Sequence, residues 1–164
     1  MALLFIGKTI CPICGLVIDD EQDAYGFPAF GENPQDLLYR FSDGAFHETC
    51  LLGDVDGRKA VEVIRDRASK IGPGKRKCQV CGEEIMDPDD YAMIDYICAP
   101  EVHSIASFHY THLHRSHSVS WNRKEQFLKQ LENAWKAGIL SQKVAEALVV
   151  HLGLPVPPKW LGSD

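Results

Sequence analysis

The chain has 164 residues, 45% hydrophobic and 24% charged, with a formal net charge of −6. That balance excludes wholesale disorder and suits one domain or two small ones. It also disfavours nucleic acid as a partner. Residues 1–70 carry seven Lys+Arg against twelve Asp+Glu and the remainder ten against eleven, so neither part has the cationic excess that phosphate binding needs.

The start, Met1-Ala-Leu-Leu-Phe-Ile6, is apolar but short, without a charged leader region or a small-residue cleavage site. It is expected to be a first β-strand rather than a signal peptide. No stretch approaches the roughly 20 apolar residues of a membrane span. The expected compartment is therefore the cytoplasm, where thiols stay reduced. Cys11-Pro-Ile-Cys14-Gly15 follows, then the acidic run Asp19-Asp20-Glu21. Two strands are expected, Asp23 to Phe30 and Asp36 to Phe41, joined by a turn at Gly31-Glu-Asn-Pro34. A helix is expected to begin near His47, with Cys50 three residues on. Gly53-Asp-Val-Asp-Gly57 interrupts it. Asp54 or Asp56 can cap a second helix to about Lys70, with Ala60, Val61, Ile64, Ala68 and Ile71 on its buried face. Ile71-Gly-Pro-Gly74 ends that helix, and Lys75-Arg-Lys77 is expected to be a solvated linker cluster.

The pattern then returns. Cys78-Gln-Val-Cys81-Gly82 leads to the acidic Asp87-Pro-Asp-Asp90, a strand expected from Tyr91 to Ile97, and a turn near Ala99-Pro100. Ser107-Phe-His109-Tyr-Thr-His112-Leu113 repeats the phrase Ala45-Phe-His47-Glu-Thr-Cys50-Leu51, with histidine in place of the last cysteine. Beyond it, Ser120 is expected to cap a helix to Lys136 and Ser141 to start another to about Leu152. The amphipathic pattern is expected to pack both on the preceding units. Trp160, in the proline-rich tail from Leu154, is expected to anchor that tail.

Six cysteines, four of them in two Cys-x-x-Cys pairs, with no export signal, favour metal over disulfides. Zn²⁺ takes four nitrogen or sulfur ligands tetrahedrally in structural sites. Two cysteines two residues apart reach one ion from a tight turn, and the following glycine accepts the backbone conformation that closes it. Histidine and cysteine at i and i+3 of a helix start face the same ion. The expected ligands are Cys11, Cys14, His47 and Cys50 for one zinc ion, and Cys78, Cys81, His109 and His112 for the other. His114 or His117 is an alternative to one of the last two.

A Cys-Pro-x-Cys-Gly knuckle followed by a hairpin and a helix bearing the last two ligands resembles the treble-clef zinc fingers, over roughly residues 8–70 and again 75–120. The resulting expectation is an α+β chain of two treble-clef-like zinc-binding units plus a C-terminal helical hairpin. Its divisions fall at residues 1–72, 73–120 and 121–164.

Treble clefs serve in binding, nucleic-acid recognition and nuclease chemistry alike. Closed four-ligand sites and acidic charge favour a protein–protein interaction module over an enzyme. An inhibitor or immunity-type protein covering a basic partner is one form of it. A nucleic-acid-binding regulator is the alternative. A metal-dependent nuclease would have to use His114 and His117, with Glu101 or Asp95 as base. Cys98 is expected to be an apolar filler, and His103 and His151 surface or packing residues.

Overall fold

The computed structural model describes residues 3–30, 33, 36–74 and 76–160. The chain divides into two units, Met1–Ser69 and Lys70–Asp164. It is of mixed α+β type, with helices beside two small antiparallel sheets.

In the first unit, strand β1 (Ala24–Gly26) pairs with β2 (Ala45–His47), Ala24 opposite His47 and Gly26 opposite Ala45. Helix α1 (Glu48–Gly53) follows β2 directly, and α2 (Val55–Lys70) begins two residues after α1 ends. Asp54 joins the two helices. Its N–H is taken by the carbonyls of Cys50 and Leu51, and its carboxylate accepts from the Gly57 N–H at 2.8 Å. Of the two expected caps, Asp54 therefore serves. The core is aromatic: Phe27 lies 5.8 Å from Phe46 and 5.9 Å from Phe41, and Leu51 and Ala60 are fully buried.

Among the described residues of this unit, two expected strands do not form. Residues 3–8 form no strand, because the Phe5 carbonyl is taken locally by the N–H groups of Lys8 and Thr9 in a turn. The segment from Asp36 to Phe41 is a turn ending in a 3₁₀ helix, Tyr39–Phe41. The Asp36 carboxylate accepts from the Leu38 N–H at 2.8 Å, the local aspartate turn that competes with a strand. Of the turn expected at residues 31–34, only Asn33 lies within the described residues.

In the second unit, β3 (Tyr91–Ile94) pairs with β4 (Thr111–His114), and a 3₁₀ turn (Arg115–Ser120) follows β4. Beyond Ile94 the expected strand ends, and the Ile97 N–H donates to a histidine ring. Helix α3 (Lys124–Lys136) starts later than expected, since Ser120 donates its hydroxyl to the His117 carbonyl instead of capping. Helix α4 (Gln142–His151) is capped by Ser141. One core runs from Cys78 and Ile85 through Phe108, Trp121 and Phe127 to Trp160. The tail is anchored as expected: Trp160 is buried and meets Trp135 edge-on at 5.5 Å. Phe127 sits in the middle, 5.3 Å from Phe108 and 5.8 Å from Trp121. Phe127→Ala should destabilise this unit by about 3–5 kcal/mol, measured by urea unfolding followed through tryptophan emission.

Both units follow one plan at a fixed offset of 67 positions. Gly15 and Gly82 close the two knuckles at φ of 74° and 77°. Ile18 and Ile85 are buried behind the knuckles, and Phe41 and Phe108 lie in the cores. Asp43 and Tyr110 are the two non-glycine residues with positive φ among the described residues, at 56° and 57°. In sequence, the same offset makes α3 the counterpart of α2. The long helix thus belongs to both copies of the plan, while α4 lies beyond it.

Candidate metal centres

Each centre begins with a knuckle. In the first, an isolated bridge pairs Ile10 with Val17, the Cys11 N–H reaches the Leu16 carbonyl, and the Gly15 N–H returns to the Cys11 carbonyl at 2.9 Å. Lys77–Glu84, Cys78–Glu83 and Gly82–Cys78 repeat these contacts in the second. The chain so wrapped presents two thiols on the inside of one turn. The other pair of donors comes from the junction after the sheet. His47 ends β2 in extended conformation, φ −69° and ψ 136°, and α1 then carries Cys50 back to the same point.

Cys11, Cys14, His47 and Cys50 offer four donor atoms, all within 4.8 Å of one another. The Nδ1 atom of His47 lies 3.4 Å from Cys14 Sγ and 3.8 Å from Cys50 Sγ. Tetrahedral zinc with ordinary Zn–S and Zn–N bonds requires donor separations of about 3.6–3.8 Å. The His47 Nε2 faces the Val17 carbonyl at 3.3 Å, which fixes Nδ1 as the inward nitrogen.

The second centre consists of Cys78, Cys81, His114 and His117, again within 4.8 Å. Cys78 Sγ lies 3.7 Å from His117 Nδ1 and accepts the N–H groups of His114 at 3.3 Å and Val80 at 3.4 Å. His114 ends β4 in the manner of His47, with φ −62° and ψ 129°.

The structure therefore corrects two expected ligands. His109 and His112 are not in the cluster; His114 and His117 take both places. His109 Nε2 accepts the Ile97 N–H at 3.0 Å, and His112 lies within β4 with Nδ1 3.1 Å from the Tyr91 hydroxyl. The backbone explains the change. Tyr110 is left-handed and β4 begins at Thr111, so 109 and 112 never lie one helical turn apart. The ligand spacing holds the missed signal. Thirty-two residues separate Cys14 from His47, and thirty-two separate Cys81 from His114. The resemblance of Phe108-His109 to Phe46-His47 competed with that constant, and Phe108 is instead the counterpart of Phe41.

Electrostatics favour a cation at both points. Burial pushes the Cys11 thiol up, but the N–H groups of Cys14, His47 and Ile13 together bring it down to about 6. Burial acts likewise on Cys78, where the N–H groups of His114, Cys81 and Val80 bring it to about 6. Cys50 is pushed up to about 11 by burial and by the neighbouring Cys14 and Cys11 sulfurs. Crowded thiolates of this kind repel one another unless a divalent ion lies between them.

Sequence reasoning overlooked two carboxylates. Asp23 accepts the Thr49 N–H at 2.8 Å and the Thr49 hydroxyl at 2.9 Å. Asp90 accepts the Ser116 N–H at 2.9 Å and the Ser116 hydroxyl at 3.2 Å, and also meets His114 Nδ1 at 2.8 Å. Each clamps the turn between the last two donors. Asp90 also orients its histidine so that Nε2 is left for the cluster, the usual second partner of a metal-bound imidazole. Both lie at the fixed offset, just before β1 and β3. Asp90→Ala should weaken metal binding at the second centre by roughly 10–100-fold, measured by competition with a chromogenic chelator.

No disulfide occurs among the described residues, and Cys98 is buried in the second core. His103 accepts the Ile105 N–H as a local cap, and His151 is exposed at the end of α4. No described helix is long and apolar enough to cross a membrane. Fold and sites together define a protein with two four-donor Cys/His clusters of metal-binding geometry, one Cys₃His and one Cys₂His₂. No protein-family model, curated protein or solved structure matches the chain.

Proposed function

We propose that this is a zinc protein in which one ion holds each unit's own fold together, and that it serves as a protein–protein interaction module of the inhibitor type. The carrying observation is the pair of four-donor sets, each complete in protein ligands. Mixed thiolate and imidazole tetrahedra favour zinc among the common divalent metals. A knuckle, a strand pair and a helical turn bearing the last two donors support the treble-clef resemblance. The two helices α3 and α4, joined through Gly138, serve as the C-terminal hairpin. His114 and His117, the histidines a hydrolytic centre would have to use, belong instead to a closed ligand set, which favours a structural role over catalysis. Free thiols suit a reducing compartment such as the cytoplasm.

Charge supports a protein partner. The first unit has six Lys+Arg and twelve Asp+Glu, the second eleven of each, so neither is basic. Elemental analysis of native protein should find two zinc ions per chain. Reduced, metal-free protein that retains its full fold would overturn the proposal.

A further inference from the structure

The fixed offset makes each unit a control for the other, and the comparison isolates one surface. At its knuckle the first unit exposes Phe5, Ile6, Ile10, Ile13, Leu16 and Val17, with Leu16 66% and Phe5 59% exposed. At the same places the second unit has Gly72, Pro73, Lys77, Val80, Glu83 and Glu84. The knuckle backbone is alike in both, down to the bridges Ile10–Val17 and Lys77–Glu84, so the apolar residues are not needed to build it. Ile10 and Val17 are bridge partners and project to the same side. Exposed apolar clusters of this kind mark interaction sites.

Beside Ile13 the surface dips into a cavity of about 220 Å³, floored by Phe41 and Phe46 and edged by Arg40 and Asp54. Both phenylalanines are buried, and the Arg40 guanidinium is held by both Asp54 oxygens at 2.9 Å. Such a hollow suits one bulky apolar side chain from a partner.

Charge selects the occupant. The whole net charge of −6 resides in the first unit, and Asp19, Asp20 and Glu21 follow the knuckle directly. A second copy would bring two acidic units face to face, and an anionic membrane would repel this one. We infer that the first knuckle is the docking face for a protein segment that presents an aromatic or aliphatic side chain flanked by lysine or arginine. This rests on the interaction-module reading above and names its surface.

The test uses the full zinc-loaded chain and a phage-displayed library of random peptides. Enriched peptides should pair an apolar anchor with Lys or Arg and bind more weakly as salt rises. The variant Ile10→Lys/Leu16→Glu/Val17→Glu, which installs the second unit's own residues, should keep two zinc ions and lose roughly ten-fold or more in affinity for those peptides. Ile10→Lys alone, a milder change, should show part of the same loss. Undiminished binding by the triple variant would remove this face and leave the module reading intact. Failure to enrich any peptide would remove both. A wild-type dimer that the variant dissolves, or uptake by phosphatidylcholine–phosphatidylserine vesicles, would replace the basic peptide with another occupant and overturn the inference.

Discussion

Cys14→Ser should leave the protein with one zinc ion and an unfolded first unit. The ligand set has four members within 4.8 Å, and serine supplies a donor that zinc holds poorly. A structural zinc contributes on the order of 10 kcal/mol in small domains near neutral pH. A domain's whole margin is about 5–15 kcal/mol. A unit of this size buries too little surface to absorb such a loss. The three tryptophans, Trp121, Trp135 and Trp160, all lie in the second unit, which separates the readouts. Far-ultraviolet circular dichroism should lose the signal of α1 and α2 while tryptophan emission stays native. A melt indistinguishable from wild type would show that the first centre does not support its unit.

The second large effect discriminates between histidines. His114→Ala and His117→Ala should each cost one equivalent of zinc and shift tryptophan emission to the red, because α3 and the tail share a core with the second knuckle. His109→Ala and His112→Ala should retain two equivalents. The first of these removes the acceptor for the Ile97 N–H and the second a partner of the Tyr91 hydroxyl, so both bring modest losses of stability. Retention of two ions in His117→Ala, or loss of one in His112→Ala, would reverse the assignment of ligands.

Much of the two Cys/His clusters was legible in the sequence because their knuckles are local. Two cysteines and a glycine in five residues specify a knuckle by turn geometry alone, and both knuckles form. His47 and Cys50 were legible for the same reason, a histidine and a cysteine one helical turn apart. His114 and His117 were obscured because two criteria disagreed there, and a phrase of similar letters outweighed equal spacing. Spacing is the firmer guide: a duplicated backbone conserves path length, whereas Phe-His is a short coincidence. The strands fared worse. Asp36 to Phe41 has strand-like side chains, but one aspartate turns the backbone first, and tertiary pairing sends β1 to the segment that ends at His47. The carboxylates of Asp23 and Asp90 form long-range contacts with Thr49 and Ser116, which no local pattern announces.

Asp54 gives the first unit a property beyond capping. It closes α1 through its N–H and opens α2 through its carboxylate, and a Cβ added at Gly57 would stand 2.7 Å from the Leu51 carbonyl. The turn that bears Cys50 and the start of the long helix are thus gripped by a single residue, through its backbone on one side and its carboxylate on the other, with no slack between them. Ion release and the fraying of α2 should proceed as one event, leaving no stage at which an empty centre coexists with an intact long helix.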